Sequence, residues 1–197
     1  MTDFNILLFD DFETLDAFGP AEIVGRLTDF YRLNYFSLLG GTVESRQKIK
    51  VHTLPVGEIN ASGILLIPGG MGTRTLVNDE GAISKIAELC QRSKYTLTVC
   101  TGSALLAKTG LIKNISATSN KISFEWVKSV DTDVNWQRQA RWTSCGKYYT
   151  SSGVSAGMDM VLGFIADVNG INWAEKCAKE IEYIWNKDKN FDPFSIS

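Results

Sequence analysis

Three segments of the chain have the pattern of buried strands: the first two are continuous apolar runs that stop at charged or glycine residues, and the third is rich in β-branched residues. The three segments are Phe4–Phe9, Gly63–Pro68 and Tyr95–Val99. Continuous runs of about 4–8 apolar residues are typical of strands buried on both faces, as in a parallel sheet. Apolar residues also recur at helical spacing over Asp79–Ser93 and Ala156–Val168. This alternation of buried strands and helices predicts an α/β fold with a mostly parallel sheet and helices on both faces.

Shorter patterns complete the predicted order of elements. Pro20 suits the first turn of a helix, where its missing N–H costs nothing, and Ser155 and Asn172 are suited to cap two later helices. The other predicted elements are the strand Leu33–Leu39, an edge hairpin of Val43–Ser45 with Lys48–His52, the helices Ala104–Lys108 and Ser123–Ser129, the strands Val134–Trp136, Trp142–Cys145 and Tyr148–Ser151, a last helix to about Trp185, and an irregular tail, Asn190–Ser197. No repeat or linker divides this pattern, so residues 1–197 are predicted to form a single domain.

The composition narrows the class of protein. Hydrophobic residues make up 44% of the 197 positions, which is enough for a full core. The 20 Lys and Arg residues face 22 Asp and Glu, a formal net charge of -2, whereas a duplex-binding surface needs a basic excess. We therefore expect no nucleic-acid partner. No apolar run approaches the length of a membrane span, and the first residues do not resemble an export signal, so we expect no membrane association and a cytoplasmic location.

The four cysteines give no sign of a metal site. They are Cys90, Cys100, Cys145 and Cys177, and in the cytoplasm we expect reduced thiols. None belongs to a C-x-x-C pair, and the sequence has one histidine, His52, so a zinc site is not expected. Two of the cysteines fall on apolar helix faces and one in a hairpin, which favours structural roles for all except Cys100.

A functional site is expected at the carboxyl ends of the buried strands, because the loops there surround a crevice in open α/β sheets. Cys100 follows one strand directly, and Gly102 and a short helix come next. A tight strand-to-helix turn pushes such a side chain out of the sheet, toward backbone N–H groups at the helix N-terminus. This setting predicts a lowered thiol pKa and a reactive thiolate. The alternative is a buried, inert cysteine, which is common at strand ends.

Two other loops are predicted to reach the same edge of the sheet. The loop after the first strand carries Glu13 and Asp16, and Asp16 has apolar neighbours, which predict a raised pKa and acid–base chemistry. Gly69-Gly70 is either a simple turn or a place where a backbone N–H meets developing negative charge. His52 lies in the predicted edge hairpin, far in sequence from Cys100. If Cys100 is catalytic, a carboxylate must therefore move the protons.

Several longer stretches form a set that runs in order along nearly the whole chain. They are Leu15–Ile23 (LDAFGPAEI), Ile64–Gly70 (ILLIPGG), Thr98–Ile112 (TVCTGSALLAKTGLI), Ala117-Thr118, Thr150–Leu162 (TSSGVSAGMDMVL) and Ile181–Tyr183 (IEY). Together they resemble the ThiJ/PfpI superfamily, which has a class I glutamine amidotransferase-like fold. Asp16 stands where the isonitrile hydratase-like branch has an aspartate. The resemblance implies a flavodoxin-like three-layer α/β sandwich, a nucleophile-elbow cysteine and a homodimer, and it implies no metal or organic cofactor.

The resemblance also implies roles for individual residues. Cys100 would attack the terminal carbon of a small isonitrile, Asp16 would protonate the intermediate and activate water, and the product would be an N-substituted formamide. The N–H groups of Gly70 and Thr101 would hold the substrate or a pocket water. Asn120 stands where many relatives have a histidine, which disfavours a Cys–His protease or amidase. Three alternatives stay open: a redox or stress-response protein with an oxidisable Cys100, a glyoxalase or hydrolase, and a small-molecule-binding module.

Overall fold

The computed structural model describes residues 1–196, so Ser197, the end of the predicted irregular tail, lies outside the described residues. The strands are β1 Thr2–Leu7, β2 Tyr31–Ser37, β3 Gly41–Glu44, β4 Lys50–Pro55, β5 Ile64–Ile67, β6 Tyr95–Thr98, β7 Ser116–Ala117, β8 Asn135–Trp136, β9 Trp142–Cys145 and β10 Tyr148–Ser151. The helices are α1 Thr14–Val24, α2 Gly72–Leu76, α3 Glu80–Arg92, α4 Gly102–Lys108, α5 Phe124–Val130, α6 Ala156–Asn169 and α7 Ile171–Glu180. Short 3-10 turns occur at Val56–Glu58 and Pro193–Ile196.

The central sheet has eight strands in the order β3-β4-β2-β1-β5-β6-β10-β9, and β7 and β8 form a separate two-stranded sheet. The inner strands β2, β1, β5, β6 and β10 are parallel, while β3 and β9 add antiparallel edges. The predicted edge hairpin is confirmed, with Val43 opposite Val51. All four residues of β5, Ile64–Ile67, are buried, as the fully apolar pattern predicted.

Helices cover both faces of the sheet, which confirms the predicted three-layer arrangement. The crossover from β1 to β2 runs toward one edge of the sheet, and those from β5 to β6 and from β6 to β10 run toward the other. Since parallel crossovers are right-handed, α1 lies on one face and α3 and α4 on the opposite face. Helix α6 packs on α1 and α7, whereas α4 packs on α3 and α5. The strand order reverses between β1 and β5, and at such a point open α/β sheets form a crevice at the carboxyl ends of the strands.

Helix α1 begins at Thr14, several residues before the start predicted at Pro20. The prediction that Asp16 lies in a loop is therefore wrong, because Asp16 belongs to the first turn of this helix. Pro20 lies inside the helix, where its missing N–H removes the bond to the Asp16 carbonyl. The helix forms nevertheless, because it packs against α6 and β2 and buries side chains that include Ala17 and Ile23. Tertiary packing outweighs the local cost of the proline.

The last two helices also differ from the prediction at their ends. Ser155 holds the N-cap position of α6, but its side chain makes no capping hydrogen bond. Asn172 lies within α7 and not at its cap, and the helix ends at Glu180 and not near Trp185. Trp185 Nε1 instead donates to the Asp159 carbonyl at 3.2 Å, which directs this segment across α6. Within residues 1–196, no helix is long and apolar enough to span a membrane.

A buried charged cluster attaches the end of the chain to the fold. Arg141 Nε donates to Asp159 Oδ2 at 2.6 Å, and the Tyr183 hydroxyl donates to Asp159 Oδ1 at 3.1 Å. Arg141 Nη1 also lies 3.6 Å from Asp192 Oδ1, so the tail is bound to the same guanidinium. Charges removed from water need such partners, because an unpaired buried charge costs several kcal/mol.

Candidate active site

Cys100 occupies a strained turn between β6 and α4. Its φ is +56°, a left-handed conformation that non-glycine residues rarely adopt. Its N–H donates to the Ser152 carbonyl at 3.1 Å. Its carbonyl accepts hydrogen bonds from Ser103 Oγ at 3.0 Å and Ser119 Oγ at 2.8 Å. Three hydrogen bonds from separate elements therefore hold the strained backbone, and the predicted nucleophile-elbow geometry is present.

The Asp16 carboxyl group is fully buried beside this turn. Its Oδ2 accepts a hydrogen bond from the Gly69 N–H at 2.9 Å, whereas Oδ1 has no hydrogen-bond partner among residues 1–196. Burial raises the pKa of Asp16 to about 7, and the negative charge of Glu13 adds to the increase. The Gly69 N–H, the Cys100 thiol and the Val154 N–H act in the opposite direction. Asp16 therefore changes charge near neutral pH, as its apolar neighbours predicted.

The prediction of a lowered thiol pKa at Cys100 is wrong. Burial raises the pKa of Cys100 well above its usual range, and the negative charge of Asp16 raises it further. Hydrogen-bonding from the Thr101 and Val154 N–H groups lowers this pKa, but by less than burial raises it. The side chain is 7% exposed, so water stabilises a thiolate poorly. At neutral pH the thiol keeps its proton, and Asp16 is the adjacent group that can accept it.

The Gly69-Gly70 loop meets the elbow through Thr101. The Gly70 N–H donates to Thr101 Oγ1 at 3.0 Å, and the Thr73 hydroxyl donates to the Gly70 carbonyl at 2.7 Å. The structure thus brings Gly70 and Thr101 together, as the resemblance implied, but the Gly70 N–H already has a partner. It would have to exchange the Thr101 hydroxyl for a substrate atom. The Thr101 N–H, by contrast, is directed at the sulfur of Cys100.

A pocket of about 270 Å³ opens onto this group of residues. It is lined by Glu13, Arg46, Gly70, Met71, Arg74, Cys100, Thr101, Asn120, Ile122, Ser123 and Val154. Asn120 Oδ1 accepts a hydrogen bond from the Ser123 N–H at 3.0 Å. His52 is exposed on β4 and does not line the pocket, as its place in the sequence predicted. Within residues 1–196, no group of His, Cys, Asp or Glu side chains is arranged to hold a metal ion.

A larger groove also lies at the carboxyl end of β1, and α2 contributes residues to this groove as well as to the pocket at Cys100. The groove measures about 760 Å³ and runs between the segment after β2 and helix α3, with Leu39 and Ile86 among its lining residues. Cys100 does not line it, and the fully buried Asp16 lines neither this groove nor the smaller pocket. The smaller pocket is therefore the candidate active site, because the strained thiol lines it.

Residues 4–167 match the model of the DJ-1/PfpI family. The chain belongs to the DJ-1/PfpI family. It is 26% identical over 178 residues to the isonitrile hydratase of Pseudomonas putida, across 90% of this chain and 76% of that protein. A ThiJ/PfpI family protein from Pseudomonas syringae has 25% identity and a TM-score of 0.84, across 92% of this chain and 75% of that one. Drosophila melanogaster DJ-1beta has 15% identity and a TM-score of 0.79, and the match covers 93% of this chain and 99% of that one. These matches confirm the resemblance and the flavodoxin-like fold.

Two features of this DJ-1/PfpI site were missed by sequence reasoning. Val154 has a φ of +45°, which is rare for a β-branched residue, and its N–H stabilises the charged forms of Asp16 and Cys100. Nothing in the sequence marks a valine for that conformation. Arg74 lines the pocket from α2, and its place in the polar segment after Gly70 is only a weak sequence signal for that position.

Proposed function

We propose that the chain is a cysteine-dependent hydratase that converts a small isonitrile to an N-substituted formamide. The observation that carries the proposal is the buried pair of Asp16 and Cys100, in which an uncharged thiol adjoins a carboxyl group of pKa about 7. The pair can supply a nucleophile and move a proton without a histidine. The 26% identity to the isonitrile hydratase of Pseudomonas putida supports the choice of substrate class.

The proposed reaction begins with attack on the terminal carbon of the isonitrile. Cys100 Sγ forms a bond to that carbon while the thiol proton passes to the Asp16 carboxylate. Asp16 then donates this proton to the same carbon, which leaves a neutral thioimidate on the enzyme. The Thr101 N–H, which already faces the sulfur, would stabilise negative charge that develops during the attack.

Water completes the proposed reaction. The water oxygen bonds to the thioimidate carbon while Asp16 takes a proton from the water, and Asp16 then passes that proton to the imine nitrogen. The carbon–sulfur bond then breaks, the hydroxyl proton returns to the sulfur, and the formamide leaves. The sum is one isonitrile plus one water giving one formamide, with Cys100 and Asp16 restored. A pocket of about 270 Å³ suits a small substrate.

The test measures formamide production from cyclohexyl and phenyl isonitrile by chromatography. Cys100→Ser should abolish turnover, and Asp16→Asn should lower kcat by about 10²–10⁴-fold, the range of general acid–base catalysis. Cys145→Ser is the matched control, because Cys145 is exposed in the β9–β10 hairpin and outside the pocket. Because Asp16 must accept the thiol proton, kcat/KM should rise with pH through about 7. Absence of turnover by the wild-type protein with both substrates would refute the proposal.

A redox role for Cys100 is the second candidate, and the raised thiol pKa argues against it. Oxidation by peroxide proceeds through the thiolate, which burial disfavours here. Intact-mass measurement after graded peroxide decides between the two. A redox sensor would gain two oxygen atoms at Cys100 before the exposed Cys145 reacts. A hydratase whose Cys100 is buried and protonated should instead be oxidised at Cys145 first.

A further inference from the structure

Arg74 lines the pocket that holds Cys100, and the proposed hydration does not use it. Its guanidinium carbon lies 4.1 Å from the ring centroid of Trp126, and Nη2 donates to Ser123 Oγ at 3.4 Å. Within residues 1–196, that is the one hydrogen bond its side chain makes. Stacking on tryptophan fixes the plane of the guanidinium, and most of its five N–H donors stay available. An oriented, half-buried cation therefore belongs to the pocket wall.

The other arginines show that an unpaired guanidinium is unusual in this chain. Five of the seven form ion pairs with carboxylates: Arg26, Arg32, Arg92, Arg138 and Arg141. In the described part of the chain, the remaining two, Arg46 and Arg74, form no ion pair, and both line this pocket. The other charged residue that lines it, Glu13, accepts a hydrogen bond from Gln47 Nε2 at 2.6 Å. The Asp16 carboxylate beside Cys100 balances one of the two arginines, so the case for an anionic ligand rests on the unpaired, oriented guanidinium of Arg74 rather than on net charge.

We propose that Arg74 binds a carboxylate on the substituent of the substrate, so that the preferred isonitrile is an isocyano carboxylic acid. This inference rests on the proposed hydration at Cys100. A planar carboxylate matches two parallel N–H donors of a guanidinium, which gives orientation as well as affinity. With the isonitrile carbon at Cys100, the carboxylate at the other end of the molecule binds Arg74 within the same pocket. Trp126 positions the guanidinium for that contact.

The experiment compares isonitrile acids with their methyl esters. Isocyanoacetate and 4-isocyanobenzoate are each assayed beside the ester, which keeps the skeleton and removes the charge. The wild-type protein should prefer the acids. Arg74→Gln should lower kcat/KM for the acids by about 10- to 100-fold more than for the esters, mainly through KM. Arg74→Lys should recover part of the loss, because it keeps the charge without the paired donors. Arg92→Gln, on α3 and outside the pocket, is the matched control.

The outcomes separate this inference from the proposed function. If the wild-type protein hydrates acids and esters equally well, or if Arg74→Gln lowers both to the same degree, the carboxylate site is refuted while the hydratase stands. If the wild-type protein hydrates neither the acids nor the esters, the proposed function fails. The role of Arg74 is then decided by measuring ligand binding, which does not require turnover. Calorimetric titration with 4-formamidobenzoate and its methyl ester serves for this. Tighter binding of the acid that Arg74→Gln abolishes would support the site, and equal binding of acid and ester would overturn it.

Discussion

Replacing Asp16 by asparagine should remove a loss of folding stability that the wild-type protein undergoes as the pH rises toward 7. Burial raises the pKa of Asp16 from its usual 3.8 to about 7, so the folded protein holds this proton over a range in which the unfolded chain releases it. The cost of burying the charge is absent below the unfolded pKa, grows as the pH rises, and is complete above pH 7. At about 1.36 kcal/mol for each pKa unit, it reaches about 4 kcal/mol. Asp16→Asn removes this cost.

The assay is urea unfolding of the wild-type protein and Asp16→Asn at a fixed protein concentration, from about pH 4 to pH 8. The asparagine NH₂ replaces the unpartnered Oδ1, which changes the free energy of unfolding by an amount that does not depend on pH. The informative quantity is therefore how the difference in free energy of unfolding between the two proteins changes with pH. That difference should move by about 4 kcal/mol in favour of the variant as the pH rises. A flat difference would show that Asp16 ionises at an ordinary pKa.

Asp3→Asn provides a control of opposite sign. Burial alone would raise the pKa of Asp3, but hydrogen bonds from Arg32, Asn34 and Asn60 lower it below the usual value. Such a carboxylate stabilises the fold above its unfolded pKa, and that stability is lost as the pH falls through the folded pKa. Asp3→Asn should therefore be destabilising at neutral pH, with a deficit that shrinks toward acid. The same trend for both variants would point to a common artefact of the substitution.

Three further predictions concern the elbow, the buried ion pair and the glycine loop. Cys100 should react with iodoacetamide at about pH 8 more slowly than the exposed Cys145, because burial raises the pKa of the Cys100 thiol, and equal rates by peptide mass spectrometry would contradict this. Asp159→Ala should lower the free energy of unfolding by about 3–5 kcal/mol in urea melts, because the buried guanidinium of Arg141 keeps only its longer contact with Asp192. A loss below about 1 kcal/mol is typical of exposed pairs and would refute that reason. Gly70→Ala should cost at least about 2 kcal/mol, because its φ is +123° and a Cβ would lie 2.3 Å from a carbonyl oxygen. Gly146→Ala, with a φ of +60° and open space around it, should cost about 1 kcal/mol, and equal losses would mean that crowding is unimportant.

The elements predicted best are those whose local pattern and tertiary setting agree. The strands Trp142–Cys145 and Tyr148–Ser151 have the predicted bounds, because the turn at Gly146 and the β-branched and aromatic residues favour the hairpin that the fold uses. The start of α1 was predicted wrongly, because Pro20 is a local signal for a helix start and packing against α6 overrides it. Helix α7 ends before Trp185 because a long-range hydrogen bond redirects the chain.

In the candidate site too, the features that depend on neighbouring residues in the sequence were predicted, and those that depend on neighbours in space were not. Sequence patterns alone placed Cys100 at a strand end and Asp16 among apolar neighbours, and they left no histidine to pair with the thiol. They predicted a lowered pKa for Cys100 although the pKa is raised. The backbone N–H groups that lower it can be predicted from the local sequence, whereas the burial that raises it by more cannot. Val154 and Arg74 were not predicted. A positive φ at a valine and an arginine without an ion-pair partner both depend on the surrounding tertiary structure, which local sequence does not show.

The sequence by itself determined that apolar strands alternate with amphipathic helices and that one cysteine follows a buried strand, because side-chain periodicity and the chemistry of adjacent residues act over a few positions. Only the tertiary structure decided that Asp16 approaches that cysteine, that both are removed from water, and that Arg74 stacks on Trp126 beside them. Charge and proton affinity depend on burial and on distances between groups, and those distances exist only when segments far apart in the chain are packed together.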